Sequence, residues 1–116
     1  MNRGIEKDII PYCEKENIAV LAYGVLEKGL LSGDFTKERI ERLPMDDHRK
    51  RDPAFNEPEL SGNLAVAGNL KAEALRTGLN PAGLAIAGVL NNSSICAAIV
   101  GVRSPEQIEE DLLEFQ

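Results

Sequence analysis

Tryptophan is absent and aromatic residues make up only 4% of the chain, so large anchoring side chains are scarce. Positive charge is the minority sign: 13 Lys and Arg face 19 Asp and Glu, for a formal net charge of −6, which argues against a nonspecific nucleic-acid surface. Only two cysteines occur, Cys13 and Cys96, far apart and in apolar patterns, with no CxxC and a single histidine, so zinc and redox motifs have no support. The simplest expectation is two buried free thiols in a reducing compartment. No apolar run approaches the roughly 20 residues of a membrane span, and the opening MNRGIEKD has no apolar core like that of a signal peptide. These absences predict a soluble, cytoplasmic protein with no membrane or nucleic-acid partner.

What is present suits one folded unit or a piece of one. The 116 residues are 43% hydrophobic, enough for one core and too few for two domains. Ile5, Ile9, Tyr12 and Cys13 fall at helical spacing and predict a helix over 5–15 with that stripe toward a core. Pro11 should bend or interrupt it, and Asn17 can end it in a left-handed conformation. IAVLAY, residues 18–23, and ICAAIV, residues 95–100, are short continuous apolar runs, the pattern of strands covered on both faces in a parallel sheet. Between them, residues 34–62 are polar, carry Pro44, Pro53 and Pro58, and read as a long loop with a helical turn near 37–42. Leu64, Ala67, Leu70, Ala74 and Leu75 predict a helix over 63–77 ending at Gly78, and Asn80-Pro81 opens a second, apolar nearly all round. Ser104, Pro105 and Gln107 start a last helix with a capping box, with Ile108 and Leu112 facing inward. Strands alternating with helices predict α/β with parallel strands, yet two strands complete neither a barrel nor a doubly wound sheet.

In such folds ligands collect at the carboxyl ends of the strands. Beyond the second run, Arg103 stands beside the free amides of a helix start, a place that favours phosphate; a capping box with a solvated arginine explains the same residues. Beyond the first run, Gly24, Gly29 and Gly33 recur in GVLEKGLLSGDF with Lys28 among them. They could bring backbone close to a diphosphate, or simply turn the chain, since the spacing matches neither GxGxxG nor GxxxxGK[ST]. His48, Arg49, Lys50 and Arg51 form a basic run bracketed by Asp46, Asp47 and Asp52, read as a solvated loop. Tyr12 reads as core and Tyr23, at a strand end, as a candidate lining residue. No nucleophile and base stand in suggestive context.

The blocks IEKDIIPYCEKENIAVLAYGVLEKGLLSG, PMDDHRKRDPAF, NPAGLAIAGVL and AAIVGVRSPEQIEEDL together resemble the C-terminal portion of an aldo-keto reductase, in order and over nearly the whole chain. The resemblance implies the C-terminal part of a (β/α)8 TIM barrel, with 18–23 and 95–100 as its seventh and eighth strands and the whole of 1–116 as one partial domain. It implies NADP(H) as cofactor, with NAD(H) less common in the family. By analogy Tyr23, Gly24, Leu26, Lys28 and Gly29 lie along the nicotinamide and diphosphate. Gly101, Arg103 and Ser104 meet the adenosine 2′-phosphate, and Gln107, Glu110 and Asp111 fall at the adenosine end. The sequence departs from the family pattern at Gly24-Val25, where Ser-Pro is usual, and at Asp34, where a basic residue is frequent. It departs again at Gly88, where a large aromatic is common, and at Asp111, where asparagine is common and a carboxylate can only accept hydrogen bonds. The family's catalytic Asp, Tyr, Lys and His belong to its N-terminal half, so no catalytic residue is assigned and this chain alone should not reduce a carbonyl. The implied activity is carbonyl reduction by hydride transfer, on an aldehyde or ketone, in a protein completed by an N-terminal portion. The alternative is a noncatalytic remnant acting as a nucleotide-binding or self-associating module, because unpaired edges on two strands invite a homo-oligomer.

Overall fold

Two strands lie side by side and parallel: β1 (Val20–Tyr23) pairs with β2 (Ile95–Ile99), with Leu21 opposite Ala97, Ala22 opposite Ala98 and Tyr23 opposite Ile99. They belong to a computed structural model in which residues 3–112 are described, except that of Leu112 only the backbone is; its expected inward side chain lies outside the described residues. Before β1 comes α1 (Ile9–Lys15). The crossover carries α2 (Lys37–Glu41), α3 (Glu59–Thr77) and α4 (Pro81–Leu90), and α5 (Pro105–Leu112) closes the order.

Local signals set most of the boundaries. Asn17 takes φ 55° just past α1, and the amides of Asn17 and Ile18 return to the carbonyls of Glu14 and Cys13, which satisfies the helix's last acceptors. Pro11 does not interrupt this helix as expected. It stands in the first turn, where its missing amide would have had no intrahelical partner. Gly78, at φ 75°, ends α3 as the sequence predicts.

Asn80 does two jobs. Its side-chain oxygen caps the Gly83 amide, and its Nδ2 donates to the Glu110 carbonyl at 2.6 Å, tying α4 to α5. Asn80→Ala should therefore cost about 1–2 kcal/mol, read as a lower urea midpoint at unchanged slope; an unmoved midpoint would show the cap to be idle.

Burial divides into two apolar clusters. Leu26, Leu31, Ala67, Ala82 and Ile86 join the end of β1 to α3 and α4, with Ala98 and Val100 against them. Leu30, Ile40, Phe55 and Leu60 form the second. Leu30 and Leu31 are adjacent and point into different clusters, so the turn after β1 is anchored from both sides. The stretch 34–62, expected as a long loop, has structure of its own: α2, 3-10 turns at His48–Arg51 and Pro53–Phe55, and the second cluster beneath them.

Several burial expectations fail. Ile5, Ile9 and Tyr12 are exposed, and Ile10, off that stripe, is the buried residue of α1. Leu75 is exposed too, since Ala67 and Ala74, seven apart, define the buried line of α3. Ile108 on α5 is 41% exposed. Cys13 is half-buried and Cys96 exposed, both free. The strands are not covered on both faces as expected: Leu21, Tyr23 and Ile99 are exposed, while Ala98 and Val100 meet the cluster built by α3, α4 and the turn after β1. Among the described residues no helix is long and apolar enough to cross a membrane.

Candidate functional site

Parallel pairing puts the carboxyl ends of β1 and β2 at the same edge, so the turn after Tyr23 and the junction after Ile99 become neighbours. Between them opens a cleft of about 530 Å³. Gly24, Leu26, Lys28 and Gly29 line one side, and Gly101, Arg103, Gln107, Glu110 and Asp111 the other. Two of the expected residues do not reach it. Tyr23 stands 86% exposed on the bare strand face, because side chains alternate along a strand and Val20 and Ala22 take the covered positions of β1. Ser104 is turned to its own helix instead, its hydroxyl accepting from the Gln107 amide at 3.3 Å.

That capping differs in detail from the expected box. The Gln107 side-chain oxygen accepts from the Arg103 amide at 3.0 Å rather than from the Ser104 amide, one residue further back. The Glu106 carboxylate also settles at this helix start, its pKa lowered by its own backbone amide and then by the Ser104 hydroxyl. The α5 N-terminus is thus largely self-satisfied. The Arg103 guanidinium is not: it is exposed, lines the cleft, and has no ion-pair partner among the described residues.

The third side of the cleft comes from the 34–62 excursion, which contributes Phe35, Arg39, His48 and Arg49. The basic run is not uniformly solvated as expected. His48 is exposed, but Arg49 is 7% exposed. Its Nε and Nη2 donate to the two carboxylate oxygens of Asp47 at 2.9 and 2.6 Å, its Nη1 reaches the Lys28 carbonyl at 3.5 Å, and its guanidinium lies 5.1 Å from the centre of the Phe35 ring. Hydrogen bonds from the Arg49 side chain, then from its amide, hold the Asp47 carboxyl well below the usual carboxylate range. Phe35 also meets Phe55 edge to face at 5.8 Å. Lys28, expected to add charge for a diphosphate, is engaged instead by Asp52, whose pKa is lowered chiefly by that contact. Asp34 is close, but Arg39 lies 3.8 Å from its carboxylate.

Asp111 is the anomaly of the cleft. It is 6% exposed, and its Oδ2 is buried without a hydrogen-bond partner among the described residues. Desolvation, then the neighbouring Glu110, raises its pKa. Residue patterns offered no sign of Arg49 or of the Asp52 contact, apart from one compositional oddity: Phe35 and Phe55 are two of only three phenylalanines, and both sit in an otherwise polar stretch.

The Aldo/keto reductase family model matches residues 1–115. Aldo-keto reductase YhdN of Bacillus subtilis is 33% identical over 108 residues, which cover 92% of this chain and 32% of that protein. The solved structure of the glycerol dehydrogenase AKR11B4 from Gluconobacter oxydans superposes with a TM-score of 0.81 at 37% identity, covering 95% of this chain and 34% of that one. The chain thus spans about a third of the length of the relatives it matches.

Proposed function

Because this chain belongs to the aldo/keto reductase family and corresponds to part of its TIM barrel, we propose that it is the cofactor-holding C-terminal segment of an NADP(H)-dependent carbonyl reductase. One observation carries the reading: an exposed Arg103 guanidinium, with no ion-pair partner among the described residues, lines the cleft that joins the two strand ends. The residues present fit an anionic dinucleotide. Arg103 suits a 2′-phosphate that it can grip with two donors, the Gly24 to Gly29 turn lines the side where a diphosphate would lie, and Gln107, Glu110 and Asp111 line the adenosine side. When bound, the cofactor supplies a hydride. These residues bind and orient it, and the proton donor comes from the rest of the protein, as none of the described cleft residues is assigned a catalytic role. An aldehyde or ketone is the substrate of the completed enzyme, NAD(H) is the weaker cofactor, and the reducing cytoplasm, where free thiols persist, is its compartment.

Titration of the protein with NADPH and with NADH, followed by nicotinamide fluorescence, tests this. Saturable binding that favours NADPH is expected; no binding of either overturns it. The bare face of Leu21, Tyr23 and Ile99 favours a second reading, a noncatalytic module that covers this face by self-association. Light scattering separates the two: the second requires an oligomer, and a folded monomer rejects it.

A further inference from the structure

Glu27, Lys28 and Gly29 form a run of left-handed residues, at φ 47°, 57° and 93°. Side chains with a Cβ disfavour that region, and two such residues in succession persist only where their surroundings hold them there. Here the hold comes from the 34–62 excursion rather than from the strands. The Phe35 ring packs on Gly29 so closely that a Cβ there would sit 3.1 Å from its edge. Arg49 stacks over that ring, its guanidinium 5.1 Å from the centre, and its Nη1 donates to the Lys28 carbonyl. Asp47 fixes the guanidinium with two hydrogen bonds, so that it can take up only one orientation under the turn.

We propose that Arg49 is a positioning residue for the diphosphate end of the cleft: it braces the Lys28–Gly29 turn, whose shape forms the wall against which the diphosphate lies. The inference rests on the dinucleotide reading above. The excursion is then a working part of the site rather than an ornament, and its buried arginine acts on a ligand it does not touch with its charge, since Asp47 already neutralises that charge.

Two ligands divide the cleft. NADPH would span it, whereas adenosine 2′-monophosphate, which carries no part of the diphosphate, needs only the Arg103 side. Arg49→Lys keeps the charge and loses the planar fork. It should weaken NADPH about tenfold and leave the monophosphate unchanged, and amide exchange at residues 27–33 should quicken. Asp47→Asn, which keeps Arg49 but loosens it, should give the same split to a smaller degree, and it serves if Arg49→Lys does not fold by circular dichroism. NADPH affinity unchanged in both variants, or a parallel loss of both ligands, overturns the positioning role. Wild-type protein that binds neither ligand overturns the dinucleotide reading, and this inference with it.

Discussion

Arg103→Ala is expected to weaken NADPH binding about a hundredfold while NADH binding changes little. The size follows from what is left when the guanidinium is gone. A helix start can hold phosphate by its free amides and dipole, but at α5 Ser104 caps the Gln107 amide, the Gln107 side chain takes the Arg103 amide, and the Glu106 carboxylate lies in the first turn. A phosphate arriving there without Arg103 meets a carboxylate and few open donors. The protein's overall charge of −6 also repels a polyanion at long range, which makes the local cation matter more. Lys28 cannot take over because Asp52 holds its ammonium. Arg103→Lys should recover part of the loss, since it restores charge without the two-donor grip, and the preference for NADPH over NADH should shrink as ionic strength rises. Calorimetric titration of both cofactors against the three proteins decides it. Equal losses for NADPH and NADH would remove the 2′-phosphate from the assignment.

The parts of this fold that were legible in the sequence are those fixed within a few residues. Asn17, Gly78, Asn80 with Pro81, and Ser104 with Gln107 each mark a helix end, because capping is chemistry between near neighbours. The two strands were legible as short continuous apolar runs, and their parallel pairing from the alternation of strands with helices. Their one-sided cover was not. An apolar run records what a strand is built to be covered by, and Leu21, Tyr23 and Ile99 are bare in a chain that spans about a third of its relatives' length. The same holds for Ile5, in a 3-10 turn at Gly4–Glu6 ahead of α1, and for Ile9 and Tyr12 on α1, all left largely exposed.

The site divides along the same line. Arg103 was readable as a cation beside a helix start, since its setting is a strand end followed directly by such a start, but residue patterns alone explained it equally as a solvated arginine next to a capping box. Lys28 was readable as a cation, but not its engagement by Asp52, which lies 24 residues away in the chain. Arg49 was hidden by its company. In a run of four basic residues nothing local says that one is buried, and the partners that bury it, Phe35 and the Lys28 carbonyl, approach only when the excursion folds back over the turn.

Asp111→Asn should make the protein more stable at neutral pH by about 1–3 kcal/mol, the unusual case of a buried polar substitution that stabilises. Asp111 is 6% exposed, its Oδ2 has no partner, and no cation pairs with it among the described residues. Burial and Glu110 raise its pKa in the folded protein above the value of about 3.9 for an unfolded chain. Above the folded pKa the native state carries a charge that the unfolded state solvates better, so the wild type bears the full penalty at neutral pH. As pH falls through the folded pKa the native carboxyl takes up its proton first and the penalty fades, and below the unfolded value both states are protonated and it is gone. The stabilisation by Asp111→Asn should therefore be largest near pH 7 and vanish near pH 3.5, roughly at or below the unfolded pKa. The Asp47–Arg49 pair runs the other way. Its depressed carboxyl lends stability above the unfolded pKa that is lost only as pH falls toward the folded value, so acid weakens the excursion while it relieves Asp111. Urea unfolding of wild type and Asp111→Asn at several pH values between these limits separates the two effects. A stability difference that stays constant with pH would mean that the orphan carboxylate is not the cause.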